Sequence, residues 1–348
     1  MDAHNSAINP KTPTRGSLSA EAGTITDARL GRIVNLLTEH AMMVVSGTKI
    51  ADELGTNRSE VWRLVQQLRE LGVEIAGHPA TGYRLEAMPD LLLPEILEPL
   101  VKGTMSSGKL HHFFRSGSTN EIGMQAAAEG ASEGTTFLAE EQTAGRGRGD
   151  HSWESSRSEG IYFSIVLRPP MSPADVLVIS LVAGLAVVDA VRSVTGLEPD
   201  LRWPNDVMLN GRKFCGILTE LNAELTRVRY AVVGIGINVN QPNFAGELSQ
   251  IATSLRIETG REWSRVELAA ALLKSLDRKY RLLLSQSGRE AVFAHFEQAS
   301  SYAKGKRVRV DEDGGYEGVT AGLDARGFLQ VRTSEGTRTV LSGSVRAI

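Results

Sequence analysis

Apolar residues recur at helical spacing at Leu30, Ile33, Val34, Leu36 and Leu37, which predicts a first helix starting near Asp27. A second, short helix is predicted over Thr48 to Leu54, with Ser46 as its N-cap and Gly55 as its stop. Asn57 with Glu60 three residues later resembles a capping box, and Val61, Leu64, Val65, Leu68 and Leu71 then form one apolar stripe on a third helix. The period next shortens to two. Residues 72–75 and 83–85 alternate as short strands around Gly77 to Gly82, a hairpin signal. Three helices followed by a hairpin are the plan of a winged helix-turn-helix, expected over residues 27–88. Ahead of it, residues 1–26 carry Ser, Thr, Pro, Gly and Ala without an apolar period, and a disordered tail is expected there.

Residues 89–108 contain Pro94, Pro99 and a Gly-Ser stretch, so a linker with one short helical piece is expected. From 109 to 301 the pattern mixes both periods. Strands are predicted over Thr135 to Glu141, Ile161 to Leu167, Leu201 to Trp203, Arg212 to Leu221 and Val228 to Asn238, with Asn210-Gly211 as a hairpin turn. A long apolar helix is predicted over Pro173 to Val194, and further helices over Val266 to Leu284 and Glu290 to Gln298. From 302 to 348 short alternating runs between glycine turns predict a small all-β module. No internal repeat is found.

At 348 residues, two or three domains are expected, large enough to need neither a disulfide nor a structural metal. The single cysteine, Cys215, excludes an internal disulfide framework and a multi-cysteine zinc site. A net charge of −3 argues against a protein whose whole surface coats nucleic acid, leaving a local basic face open. No run is read as approaching the ~18 apolar residues of a membrane span. No signal-peptide pattern is read at the N-terminus, so a cytoplasmic protein without a membrane partner is expected.

Five stretches carry candidate chemistry. In Gln142-Thr143-Ala144-Gly145-Arg146-Gly147-Arg148-Gly149, alternating glycines admit close approach of backbone N–H groups to a ligand. The arginines between them supply forked donors for phosphate. A flexible Arg-Gly surface loop is the alternative, and a strand before the stretch with Trp153 after it favours a ligand loop. Arg202-Trp203-Pro204-Asn205-Asp206 reads either as a polar ligand or Mg²⁺ site or as an Asx-type turn. Lys213 sits in a strand among apolar neighbours, where it is either a pocket cation or a solvated side chain. Gly234-Ile235-Gly236-Ile237-Asn238 places glycines inside a strand, a sign of close backbone approach. Ser118-Thr119-Asn120 clusters small polar groups at a predicted helix start. Cys215 beside Lys213 reads as a small buried residue rather than a nucleophile, and the adjacent His111 and His112 do not suggest a shared metal.

In this order the five stretches resemble the biotin–protein ligases, and with the winged-helix front end the chain is similar to the bifunctional biotin ligase/biotin-operon repressor group over about residues 28–348. The resemblance implies an α+β protein: a winged helix-turn-helix, a central mixed α/β ligase domain related to class II synthetases, and a C-terminal SH3-like β-barrel. It implies activation of biotin with ATP and Mg²⁺ to biotinyl-5′-AMP, then transfer to a lysine of the biotin carboxyl carrier domain of acetyl-CoA carboxylase. It further implies that Lys213, Arg148 and Arg146 are catalytic. Ser118, Thr119, Asn120, Gln142, Arg146, Gly147, Arg148 and Lys213 would bind biotin. Arg148, Asn205, Asp206 and Asn238 would bind nucleotide, with Asp206 as a Mg²⁺ ligand. The helix-turn-helix from Gly47 to Gln66, notably Arg58, Ser59, Trp62 and Arg63, would bind operator DNA as a homodimer formed on the adenylate. Two departures stand out: the family's Gly-Arg-Arg-Gly-Arg run is replaced by Gly147-Arg148-Gly149-Asp150-His151, and its Lys-Trp-Pro-Asn-Asp by Arg202 to Asp206. A ligand-sensing regulator without turnover and a ligase with a silent winged helix are the alternatives.

Overall fold

The structure, a computed structural model, describes residues 28–40, 43–78, 81–87, 90–149, 151–312 and 314–348. The expected tail at 1–26 lies outside the described residues, as does Asp150 of the glycine-arginine stretch.

The N-terminal unit consists of α1 (Ala28–Glu39), α2 (Gly47–Leu54), α3 (Arg58–Glu70) and the antiparallel pair β1 (Ile75–His78) and β2 (Gly82–Leu85). Its helix boundaries follow from local chemistry. Ser46 accepts a hydrogen bond from the Lys49 N–H at the start of α2, and Gly55 closes that helix in the left-handed region at φ 62°. Asn57 caps α3 through the Glu60 N–H. The Glu60 carboxylate does not return the bond of a capping box; it pairs with Arg29 and Arg63. Ile33, Val34, Ile50, Val61, Leu64, Val65 and Leu68 are fully buried at the centre of this unit.

The connector is not an open tether. After residue 90 it makes one turn of helix, α4 (Pro94–Leu97), and its three consecutive leucines point two ways. Leu91 and Leu93 enter the winged-helix core, whereas Leu92 enters the core of the central domain.

A seven-stranded sheet organises the central domain, with spatial order β3-β4-β5-β9-β8-β7-β6. Its strands are β3 (Leu110–Phe113), β4 (Thr136–Ala139), β5 (Gly160–Leu167), β6 (Asp200–Arg202), β7 (Asp206–Leu209), β8 (Arg212–Ala223) and β9 (Val228–Asn238). β3 and β4 run parallel through the crossover helix α5 (Thr119–Ala128); the other neighbours are antiparallel. One face is covered by α6 (Leu177–Thr195), α9 (Arg265–Leu283) and α10 (Gly288–Gln298), and the other by α5. Two short helices, α7 (Leu248–Ile251) and α8 (Leu255–Thr259), follow β9.

The stretch Pro173–Thr195 is long and apolar enough to cross a membrane, which corrects the sequence expectation that no run approaches that length. It is apolar all round because it is a core helix; 72% of its most apolar window is buried inside the fold. The C-terminal module is one antiparallel sheet of β10 (Lys304–Asp311), β11 (Tyr316–Leu323), β12 (Leu329–Thr333), β13 (Gly336–Thr339) and β14 (Ser344–Ala347), in the order β13-β12-β11-β10-β14. Its buried Val308, Val310, Leu329, Val331, Val340 and Val345 are continuous with the central core.

Candidate active site

The site lies on the α5 face of the sheet, at the ends of β8 and β9. The antiparallel register sets Gly216 opposite Gly236 and Leu218 opposite Gly234, so the missing side chains cluster. A Cβ at Gly236 would stand 2.5 Å from the Trp153 indole nitrogen, and one at Gly234 would stand 2.2 Å from Asn120 Oδ1. These strand glycines are therefore a floor on which Trp153 and Asn120 lie, the close approach that glycine inside a strand signals.

Lys213 reaches this floor through a register irregularity. Val207 pairs with Cys215 but Met208 pairs with Lys213, leaving Phe214 as an extra residue in β8. In a regular strand Lys213 and Gly216 would point to opposite faces. With the bulge, both face the cavity while Phe214 and Cys215 are fully buried on the core side. Burial pushes the Cys215 thiol up, which keeps it neutral, as a small core residue. The Lys213 ammonium is 2.6 Å from Asp206 Oδ1 and 5.4 Å from the centre of the Trp153 ring.

The glycine-arginine stretch leaves the sheet after β4 and folds back on itself. The Gly147 N–H donates to His151 O at 2.7 Å and the Trp153 N–H to Gly145 O at 2.8 Å. Arg146 extends to Glu220 at 3.0 Å and to Glu121 at 3.8 Å. Arg148 donates to Asn205 Oδ1 at 3.3 Å and to the Ser342 carbonyl at 2.8 Å, so the C-terminal module contributes to the mouth of the site. Gln142 fixes the start of the stretch: its Oε1 accepts from the Thr119 N–H at 2.9 Å, and its Nε2 donates to Ser155 at 2.9 Å. Asn120 is held by Glu220 at 2.9 Å and by the Ser164 hydroxyl at 2.6 Å.

The resulting open cleft is lined by Ser118, Thr119, Asn120, Gln142, Arg146, Gly147, Arg148, Asn205 and Lys213 among the residues expected from sequence. Trp153, Phe163, Ile217, Leu218 and Ile235 supply apolar wall beside these polar groups.

Two expected residues make contacts of another kind. Asn238 does not line the cavity: its amide donates to Thr253 O at 3.1 Å and accepts from Gln241, tying down the segment after β9. Both Asp206 oxygens are engaged by cations, Oδ1 by Lys213 and Oδ2 by Arg202 at 2.5 Å. Burial would raise its pKa, but these two cations outweigh that effect and hold the carboxyl below its ordinary range. Among the described residues no group of three His, Cys, Asp or Glu is arranged to hold a metal. A dedicated all-protein Mg²⁺ cage is therefore not found among the described residues, and Asp206 is engaged by Lys213 and Arg202.

Sequence reasoning missed Ser164, Glu220 and Glu121. A hydroxyl inside the otherwise apolar strand Gly160–Leu167 was a usable signal for Ser164; nothing local marks the two glutamates. Trp203, expected in a ligand motif, is buried and donates its indole N–H to Gly327 O of the C-terminal module at 3.0 Å.

At the other end of the molecule, Gly47 to Gln66 form α2, a turn and α3. Trp62 is 59% exposed, and Arg58, Ser59 and Arg63 are exposed with it. Arg63 is paired with Glu60 at 2.6 Å.

Comparison with known proteins agrees with this architecture. Residues 117–238 match the Biotin/lipoate A/B protein ligase family, residues 29–84 an HTH domain, and residues 305–346 the Biotin protein ligase C terminal domain. The bifunctional ligase/repressor BirA of Bacillus subtilis is 34% identical over 316 residues, covering 90% of this chain and 97% of that protein. The biotin–[acetyl-CoA-carboxylase] ligase of Mycobacterium tuberculosis is 34% identical, covering 66% of this chain and 86% of its own. The structure of the Aquifex aeolicus biotin protein ligase in complex with biotin and ATP superposes with a TM-score of 0.60 at 32% identity, covering 69% of this chain and 99% of that one. The chain therefore belongs to the biotin protein ligase family, in the form that carries a helix-turn-helix domain ahead of the ligase fold.

Proposed function

We propose that the chain is an ATP-dependent biotin–protein ligase and a biotin-responsive repressor of biotin-synthesis genes. The observation that carries the enzymatic half is the convergence of Arg146, Arg148 and Lys213, from two separated segments, on one cavity.

The chemistry suits those groups. In the first step a carboxylate oxygen of biotin attacks the α-phosphorus of ATP, and pyrophosphate leaves. Two anions must be brought together, so fixed cations around the reacting centre contribute most where negative charge builds up. Lys213 is assigned to the carboxylate–phosphate junction, where Asp206 orients its ammonium, and Arg148 to the phosphates. Ser118, Thr119, Asn120, Gln142 and Gly147 are assigned to biotin, with Arg146 closing over it. Asn205, which accepts from Arg148, belongs to the nucleotide side. A divalent cation that accompanies ATP would be carried by the triphosphate. In the second step a lysine amine of the biotin carboxyl carrier domain attacks the acyl carbon of biotinyl-5′-AMP. AMP departs to the same cations, and the amine loses a proton. The reaction belongs to the compartment that holds ATP and DNA, the cytoplasm.

The helix-turn-helix match and the exposed face of α3 support the second half. Arg58, Ser59, Trp62 and Arg63 stand off the buried stripe, where a recognition helix meets the major groove. Biotinyl-5′-AMP is expected to promote pairing of two chains on a two-half-site operator.

The decisive assay mixes the purified chain with biotin, ATP, Mg²⁺ and a carrier domain and reads labelled carrier with avidin. Wild type should transfer biotin, and Lys213→Ala should slow adenylate formation by ~10²–10³. Near-normal turnover in that variant would remove Lys213 from the mechanism. A gel shift with DNA upstream of the biotin genes, with and without biotin plus ATP, tests the repressor half, and sedimentation of the liganded chain tests the dimer.

A further inference from the structure

The most deeply buried ion pair among those described lies outside the cavity. Arg265, at the first turn of α9, and Glu140, just after β4, are each 1% exposed and meet at 2.7 Å. Arg265 also bonds to Asp90 in the connector, through its side-chain carboxylate at 3.3 Å and through its main-chain carbonyl. The Asp90 carboxylate in turn accepts from the Arg265 and Val266 N–H groups, both at 3.0 Å, and so caps α9. Glu140 is saturated as well: one oxygen accepts from the Leu92 N–H at 2.8 Å and from His112 at 3.1 Å, the other from Arg265 and from the Ser158 hydroxyl at 3.3 Å.

Two segments that hold the winged helix thus meet on one carboxylate. Leu92 lies between Leu91 and Leu93, and His112 packs edge-on against Phe114 at 4.7 Å. Leu91, Leu93 and Phe114 are all buried in the winged-helix core. On the opposite side, Glu140 is two residues from Gln142, which binds Thr119 and Ser155 at the cavity. Glu141 O is tied to the Ser116 N–H at 3.0 Å, so no free turn separates the two.

We infer that Asp90, Arg265 and Glu140 form a rigid joint through which occupation of the cavity reaches the winged helix, with Arg265 a positioning residue that holds Gln142 through Glu140. The inference rests on the ligase/repressor reading above. Ligand held at Gln142 changes the freedom of the β4 exit, and the joint passes that change to residues 90–93 and 112–114, which hold the winged helix by its core. Coupling of this kind usually changes a second affinity by roughly 5–150-fold.

The test uses the full chain and the variants Asp90→Asn and Arg265→Lys. Asparagine keeps an oxygen to cap α9 but loses the charge facing Arg265; lysine keeps the charge but loses the fork that spans Asp90 and Glu140. Hydrogen exchange is followed at residues 91–97 and 142–149 with and without biotin plus ATP, alongside carrier biotinylation and operator gel shifts. In wild type, ligand should slow exchange in both segments. In Asp90→Asn, protection at 142–149 and the turnover number should persist, while protection at 91–97 and the ligand's enhancement of DNA binding are lost. Arg265→Lys should raise KM for biotin several-fold with kcat nearly unchanged, in protein shown to be folded by its melting transition. Equal protection at 91–97 in wild type and Asp90→Asn overturns the joint, as does a parallel fall in kcat and kcat/KM that only tracks lost folded protein. Wild type that transfers biotin but shows no protection at 91–97 also overturns it, with the ligase reading intact. Wild type that transfers no biotin overturns that reading first.

Discussion

One added methyl group, in Gly234→Ala, probes how tightly the polar end of the cavity is built. The new Cβ would stand 2.2 Å from Asn120 Oδ1 and 2.9 Å from its Cγ. The backbone has nowhere to retreat, because β9 is hydrogen-bonded on both sides, to β5 and to β8. Asn120 must therefore turn away from the Ser164 hydroxyl and from Glu220, and it is only 3% exposed. Overpacking costs about 1–3 kcal/mol. Leaving buried polar groups unpaired costs about 1–3 kcal/mol more. Taking a middle total of ~4 kcal/mol, a domain of this size should melt about 8–16 °C lower. The displaced amide also leaves its place in the cavity wall, and losing one good polar contact of ~1.4 kcal/mol corresponds to roughly tenfold weaker biotin binding. Scanning calorimetry and titration calorimetry with biotin measure the two effects. Gly117→Ala is the control, since its methyl would meet only Glu121 Oε2, at 3.9 Å. A melting temperature and a biotin affinity both unchanged from wild type would refute the close-packed floor.

Other tests address the mouth, the joint and the recognition helix. Arg148→Ala removes the bonds to Asn205 and Ser342, and biotinyl-5′-AMP should leak from it on a spin column; retention equal to wild type counts against the assignment. Burial alone would raise the pKa of Glu140, but Arg265 first, then His112 and the Leu92 N–H, pull it down to about 2. Its stabilising effect is therefore complete above the ordinary carboxylate pKa and disappears as pH falls through about 2. Urea unfolding of wild type and Glu140→Gln should give a stability gap that is constant at neutral pH and narrows on acidification; a gap independent of pH sinks this account. Trp62→Ala should weaken the operator gel shift and leave carrier biotinylation untouched, and an unaltered shift would place the DNA contact elsewhere.

Local signals with one dominant physical cause were the legible ones. Ser46 and Asn57 cap their helices where the sequence indicates, and Asn210-Gly211 turns with both residues at positive φ. The stretch from Val228 to Asn238 is a strand from end to end. The strands β3 (Leu-His-His-Phe) and β7 (Asp-Val-Met-Leu) were not seen, because neither run alternates and each owes its conformation to neighbours in the sheet. The aim of Lys213 was also hidden, since a bulge is a property of two paired strands and not of one. Asn238 lies beside the glycine floor in sequence, yet the sheet carries it past the cavity to Thr253. Asp90, Glu140 and Arg265 are far apart along the chain, and each reads as an ordinary surface charge until folding brings them together.

The bulged pairing at Phe214, rather than the side chain there, lets Lys213 and Gly216 share the cavity face. Pairing β8 with β7 at its present length but without the bulge would put Lys213 and Gly216 on opposite faces and swing Lys213 into the layer occupied by α6 and α9, whereas loss of residue 214 would close the bulge and leave both on one face. A drift in side-chain identity at 214 leaves the cavity face intact so long as the core is filled. What β8 holds between Lys213 and Gly216 is therefore a parity, and one further residue inserted there without a second bulge would turn the ammonium away from the cavity, a change that the outer hairpin between β8 and β9 does not impose.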